Sequence, residues 1–388
     1  MTATTGALGG SWRAEVTPAG DVEPWDGSAP LRWYVAADDR WHDPAVDAGV
    51  RHERVDGTAV FETRLRIPSG DAVQRVWSVA DAGGLTLVEV ANDSPLPIAC
   101  AFTRPDVLTT RPPTDVPIQG IDLPAGTVVV PIGHRTRAVV ALSHSGGLTA
   151  LPGGLPDSAA VVRGWVTRTD AASRLDLPDA ALVSAVRAAR CEIALAGPSD
   201  PGDDPERFLL GVAELVRMAE IDRRGAGQLA ADVAHAVEIV AERESTLAAA
   251  ALDAAGVVLA AAGERRALSD LARIIASRAP ATLVPAAVDV DADAADVATV
   301  AAVERRIAAG GRLFPDGIPT AWMGQGLEAH GLIGGPSSRV SVAVRWHGPN
   351  PAVLWDVTGD RLALSCDVGV EPWGTEAPSG ETLWRLPA

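Results

Sequence analysis

The sequence predicts an α+β multidomain fold: an N-terminal antiparallel β-sandwich, a central α-helical array and a C-terminal antiparallel β-meander. Three observations predict it. Apolar residues alternate with a period of two over residues 1–176, recur at helical spacing over 177–311, and alternate again over 312–388. Clusters of Gly, Pro, Asn and Asp punctuate the first and last segments at short intervals. The chain of 388 residues is 47% hydrophobic and 21% charged, enough for packed cores in two or three domains.

The first strands follow from their punctuation. Val50–Val55 and Phe61–Ile67 flank Asp56-Gly57, a pair that supplies the positive φ angles of a tight turn. Val73–Val79, Leu85–Val90, Ile98–Phe102, Thr127–Ile132, Ala138–Leu142 and Val161–Arg168 continue the pattern, with turns at Gly83-Gly84 and Asn92-Asp93-Ser94-Pro95. The period changes at Pro178-Asp179, where Leu182, Val186 and Ile193 share a helical face. Asp204-Pro205-Glu206 is a helix start: Asp caps, Pro fits the first turn and Glu complements the dipole. Phe208, Val212, Leu215 and Ala219 form its stripe, and Leu229, Val233, Val237 and Val240 the next, after Gly225–Gly227. Further helices are expected over Thr246–Ala262, over Arg265–Arg278 with Pro280 as a stop, and over Ala294–Ala309, ended by Gly310-Gly311. Val340–Trp346, Ala352–Val357 and Leu362–Cys366 then read as a three-stranded meander.

Composition narrows the function classes. The net charge is −17, and every one of the 33 basic residues is Arg. Such a chain repels phosphate backbones and anionic lipids, so neither nucleic acid nor a membrane is an expected partner. Without lysine there is no Walker-type phosphate grip and no Schiff-base chemistry. Abundant Ala, Arg and Gly point to a GC-rich genome. Cys100, Cys191 and Cys366 are too widely spaced for a zinc site or a disulfide framework, and are expected as buried thiols. Met1–Ser11 has no signal-peptide pattern, and Leu247–Ala262, the most apolar long run, is too short to span a bilayer. The expectation is a soluble cytoplasmic protein without cofactor or metal; no oligomeric state is read from the sequence.

The order of sandwich, helices and β-module resembles the six-hairpin glycosidases, the glucoamylase-like and glycogen-debranching-like enzymes. Asp56-Gly57 through Ile67-Pro68, and Val88-Glu89-Val90-Ala91-Asn92-Asp93-Ser94-Pro95-Leu96-Pro97, are similar to their supersandwich strands. Val344–Gly348 with Ala352–Trp355 resembles their C-terminal module, and the whole chain resembles actinobacterial proteins. The resemblance implies a carbohydrate ligand, with α-glucans as substrate or partner. It also implies two catalytic carboxylates in a helical toroid, and neither is matched by motif here. A twelve-helix toroid needs about 200 residues, whereas Asp179–Ala309 spans 131. The alternative is therefore a non-catalytic glycan-binding or scaffold protein that has lost the toroid.

Three constellations carry candidate chemistry. Trp33, Tyr34, Asp38, Asp39, Trp41, His42 and Asp43 combine stacking faces with hydroxyl-binding acids; a core strand with a polar loop is the competing reading. Trp322, Gln325, Glu328 and His330 lie in a glycine-punctuated stretch expected to be an exposed loop lining a cleft, with a packing loop as the alternative. Arg345 and His347 share strand parity and would bind substrate from one face. Glu328 and Asp39 are the candidate catalytic pair, since glycoside hydrolysis needs two carboxyls about the bond. Trp33, Trp41, His42, Trp322, Gln325, His330, Arg345 and His347 are the candidate substrate-binding residues. Three motifs fail on context. Gly225–Ala230 follows a helix rather than a strand, Asp289–Asp293 lacks the calcium-loop Gly and Glu, and Ser143–Gly147 is no nucleophile elbow.

Overall fold

A computed structural model of the chain describes residues 3–114, 119–277 and 295–386. The Asp289–Asp293 run, Arg278, Pro280 and Ala294 lie outside the described residues. The architecture is N-terminal antiparallel sheets, central helices and C-terminal sheets that are antiparallel except where the strands Arg312–Leu313 and Leu364–Cys366 pair parallel, the class expected from the hydrophobic periods. The chain divides into two compact units, Met1–Val166 and Thr167–Ala388.

In the first unit, β1 (Thr4–Gly6), β2 (Arg13–Val16) and β3 (Val22–Pro24) form a small sheet. β4 (Trp33–Ala36), β5 (Trp41–His42), β6 (Val50–Arg54), β7 (Phe61–Ile67), β8 (Gly70–Val79), β9 (Leu85–Asn92), β10 (Ile98–Phe102), β11 (Leu108–Thr109), β12 (Val128–Ile132) and β13 (Arg137–Ser143) follow. They make two antiparallel sheets, of order β12-β10-β4-β5 and β11-β13-β9-β8-β7-β6. Trp33, Val35, Cys100, Phe102 and Val130 of the first meet Phe61, Leu65, Val76, Val88 and Val140 of the second in one sandwich core. Asp56 and Gly57 take φ angles of 52° and 71°, the positive values expected of that turn.

The segment Val161–Arg168, expected as a strand, lies in helix α1 (Ser158–Asp170). Asp157 caps it, its Oδ1 accepting the Ala160 N–H at 2.7 Å. Val162, Trp165 and Thr169, three and four apart, are its buried residues, so a helical spacing was hidden among β-formers. The outer face of the six-stranded sheet packs Trp77, Val79, Leu85 and Leu87 with Val162, and the Trp77 indole donates to the Pro156 carbonyl at 3.1 Å. One end of that sheet is thus covered on both faces, which is why β9 starts as a dense apolar run, whereas β7 alternates and turns Arg64 and Arg66 outward.

The second unit begins with β14 (Arg174–Asp176) and continues through α2 (Ala180–Ala196), α3 (Pro205–Arg217), α4 (Arg223–Gln228), α5 (Ala230–Ala241), α6 (Ala248–Ala262), α7 (Arg265–Ser277) and α8 (Val297–Ile307). Its remaining strands are β15 (Ala308–Ala309), β16 (Arg312–Leu313), β17 (Leu327–Gly335), β18 (Ser338–His347), β19 (Asn350–Gly359), β20 (Leu364–Cys366), β21 (Trp373–Thr375) and β22 (Ser379–Leu383). Asp179 and Asp204 cap α2 and α3, with Pro205 in the first turn of α3 as its sequence dictates. Helix α6 is apolar nearly all round because it is surrounded, contacting α3, α4, α5 and α7. Its Gly256 lets Pro336 approach so closely that a Cβ would sit 2.7 Å from the proline ring.

The expected three-stranded meander is larger. The sheet has the order β14-β17-β18-β19-β22, all antiparallel, and Leu362–Cys366 instead contributes β20 to a four-stranded sheet of order β15-β16-β20-β21. β14 lies inside the segment 1–176 expected as the sandwich, yet it pairs with β17 through Leu175 and Ala329, because both present their apolar side to the same core.

Three helices and one strand converge on four buried charges. Arg190 of α2 donates from Nε to Glu214 of α3 at 2.7 Å and from Nη2 to Glu304 of α8 at 2.8 Å. Its other contacts are the Thr169 and Ser173 carbonyls and the Ser173 hydroxyl, so all three nitrogens are used. Arg217 binds Glu214, donates to Glu304 at 2.9 Å, and reaches the Ala172 and Gly331 carbonyls. Gly331, at φ 76°, forms a bulge in β17 between Ala329 and Leu332. Breaking a buried pair strands its partner in a medium that solvates it poorly. Arg190→Met is expected to destabilise the chain by about 3–5 kcal/mol, measured by urea unfolding followed by circular dichroism.

Candidate functional site

The N-terminal constellation is a folded polar loop beside a core strand. Trp33 is 1% exposed, packed in the sandwich core with its indole N–H donating to the Ala19 carbonyl at 2.9 Å. It offers no face to a ligand, which corrects its assignment as a binding residue. Trp41 is half-buried on β5, and Trp25, absent from the sequence candidates, is 51% exposed. His42 is buried between two carboxylates: Nδ1 lies 2.8 Å from Asp47 and Nε2 3.0 Å from Asp39. Arg40 also binds Asp47, at 2.9 Å. The hydrogen bond from His42 holds the Asp39 carboxyl below its ordinary value. Asp39 is therefore an ionised partner of His42 rather than a proton donor.

The second constellation is split by the start of β17. Leu327–Gly331, expected in a loop, is strand, because Leu327 and Ala329 alternate into the core. Trp322 precedes it in a short 3-10 turn and is 3% exposed, packed with Leu327, Val344 and Trp355. The sequence candidate for a stacking platform is thus a core residue. Gln325 is exposed, but its amide donates to the Ala321 carbonyl at 2.8 Å and its own carbonyl accepts the Trp346 indole N–H at 2.8 Å. The residue closes the turn.

Glu328 and His330 of β17 and Arg345 of β18 do meet, on the outward face of the five-stranded sheet. Glu328 is bound by Arg345 and lies 3.3 Å from His330 and 3.8 Å from Arg174 of β14. Ala343, opposite Glu328, leaves the carboxylate and guanidinium open to solvent. His330 and Arg345 hold the Glu328 carboxyl below its ordinary value. His347, at the end of β18, is exposed. Asp39 and Glu328 belong to different units, and each is engaged by partners of its own unit.

The groups whose burial perturbs them were not sequence candidates. Burial pushes the Asp21 carboxyl up to about 6, against the pull of Arg32. Burial also raises Asp253 of α6, which pairs with Arg305 at 3.2 Å. In Glu214 burial pushes upward, but Arg217 and Arg190 outweigh it and keep the carboxyl below its ordinary value. Glu214, Arg217, Asp253, Glu304 and Arg305 line a cavity of about 30 Å³, walled by Leu210, Ala254, Val297 and Ile333. That is room for about two water molecules, beside an Arg217 Nε with no hydrogen-bond partner among the described residues. A spacing signal marks these charges: Arg190, Glu214 and Glu304 each stand four residues after a buried or cavity-wall apolar residue, Val186, Leu210 and Val300.

Among the described residues, no cluster of His, Cys, Asp or Glu is arranged to hold a metal ion, and no helix is long and apolar enough to cross a membrane. No protein-family model matches the chain, and no curated protein matches it in sequence.

Two outcomes are expected from this placement. Trp322→Ala removes a core indole and is expected to cost about 3–5 kcal/mol of stability, measured by thermal and urea unfolding. The second concerns pH. Burial, then Arg54, lowers His52 to about 4, and burial, then Arg13, lowers His144 to about 4, from an ordinary 6.5. Each stabilises the neutral folded form above pH 6.5 and loses that contribution as pH falls toward 4. Asp21 acts oppositely, its folded form losing stability as pH rises from 3.8 to about 6. Asp21→Asn should therefore raise the thermal midpoint above pH 6, with the gain vanishing below pH 4, and steepen the acid loss set by the two histidines.

Proposed function

We propose that this chain is a carbohydrate-binding protein that does not hydrolyse its ligand, and that the outward sheet face carrying Arg174, Glu328, His330 and Arg345 is its binding surface. The observation that carries this reading is the ionic clamp on Glu328. A glycosidase general acid needs a carboxyl pushed up so that it holds its proton near neutral pH. Here the neighbouring imidazole and guanidinium act in the opposite direction. The same is true of Asp39 beside His42. A fixed carboxylate next to a planar guanidinium suits another task, accepting and donating hydrogen bonds to adjacent hydroxyls of a sugar ring.

The resemblance to six-hairpin glycosidases supports a sugar as the ligand, and the short helical region supports binding without turnover. The net charge of −17 favours an uncharged polyol over a phosphate backbone. Three buried thiols, Cys100, Cys191 and Cys366, suit a reducing cytoplasm.

The test is calorimetry against a panel of α-linked gluco-oligosaccharides, run beside a reducing-sugar assay. The expected result is binding without sugar release, weakened by Arg345→Ala about ten- to a hundredfold, the scale of a hydrogen bond to a charged group. Sugar release that Glu328→Gln abolishes would establish a hydrolase instead. Absence of binding to every member of the panel would remove the carbohydrate reading.

A further inference from the structure

We propose that β22 is an open docking edge, and that it accepts an extended peptide segment of alternating basic and apolar side chains as a sixth strand of the C-terminal sheet. The proposal is independent of the sugar site and rests on the hydrogen-bond parity of one strand. β22 ends the sheet order and pairs only with β19, from Ala352 opposite Leu383 to Asp356 opposite Ser379. The Val357 N–H donates to the Pro378 carbonyl at 2.6 Å, and the Trp384 N–H to the Pro351 carbonyl at 3.0 Å. These two bonds fix the alternation between them. Gly380, Thr382 and Trp384 direct their backbone groups into the sheet. Ser379, Glu381 and Leu383 direct theirs away from it, and these three have no hydrogen bond among the described residues. All three are exposed.

Two edges of the N-terminal sheets are guarded. β12 carries Pro131, which has no N–H to offer, and β6 carries Arg51, Glu53 and Arg54. β22 has neither a proline nor a basic residue, and a row of free N–H and C=O groups is a template for another strand.

The side chains select the occupant. Residues opposite one another share a face, so Glu381 and Leu383 project beside Leu354 and Asp356 of β19. Leu354 and Leu383 are 39% and 52% exposed. Neither β19 nor β22 contains a basic residue. Side chains of a strand alternate between the two faces, so a partner strand of alternating basic and apolar residues sets its lysine or arginine side chains on the face of Glu381 and Asp356 and its apolar ones on the face of Gly380 and Thr382. A second copy fits less well, because two-fold pairing of β22 with itself sets Glu381 opposite or diagonal to its counterpart, and like charges there are destabilising.

The test uses the full chain and a capped fluorescent heptapeptide alternating lysine with valine, followed by fluorescence anisotropy. Glu381→Gln removes the charge and is expected to weaken binding about threefold. Glu381→Pro removes the charge and an N–H that makes no ladder bond, and is expected to weaken binding a further tenfold or so with an unchanged thermal midpoint. The same heptapeptide N-methylated on the amides that would face β22 is expected to lose binding to the wild type. Should Glu381→Pro fail to fold, that methylated peptide decides. Equal binding of the methylated peptide, or of one alternating glutamate with valine, would overturn the proposal. So would a dimer in light scattering that Glu381→Pro converts to monomer, since the edge would then belong to a second copy.

Discussion

Four buried charges hold the helical part of the molecule in register. Arg190, Glu214, Arg217 and Glu304 come from three helices, and each is tolerable inside only because the others are there. The arrangement uses backbone as well as side chains: the Gly331 bulge turns a carbonyl of β17 onto Arg217, and the Ser173 hydroxyl donates to Glu304 at 2.6 Å. A slip of any one helix by a turn would separate ions rather than slide apolar side chains past one another. Dispersion contacts alone tolerate such slips; paired buried ions do not. Because the pairs lie out of solvent, dissolved salt screens them little.

The alternation of periods carried the fold class in the sequence, and local chemistry carried many element ends. Asp204-Pro205-Glu206 started a helix as its chemistry dictates, and Asp56-Gly57 turned the chain with positive φ angles. What escaped was decided by tertiary context. Val161–Arg168 has the β-branched composition of a strand but is capped by Asp157 and packed through Val162 and Trp165, so burial outweighed propensity. Leu327–Gly331 looked like a loop because of its glycines, yet Leu327 and Ala329 had a core to enter and a bulge to absorb Gly331.

The candidate site was legible in part, and for a definite reason. Strand parity placed Glu328, His330 and Arg345 on one face, since charged residues at alternate positions have only one side to occupy. Parity says nothing about whether an aromatic is a platform or a core residue. Trp33 and Trp322 turned inward because an indole of that size is worth more to a sandwich or sheet core than to solvent. The buried ion network was visible only as charges at a four-residue offset from apolar positions, a pattern a search for surface chemistry passes over.

The three cysteines give the molecule internal reporters of its own opening. Cys100 sits in the sandwich core, Cys191 faces inward from α2, and Cys366 lies in the core beneath the C-terminal sheets. Burial raises the Cys100 thiol, and raises that of Cys366 to about 11, so neither ionises readily while its core is closed. A thiol reagent then reacts only as fast as each region exposes its cysteine. The labelling time course of the unmodified protein, resolved residue by residue, becomes a record of which part lets go first.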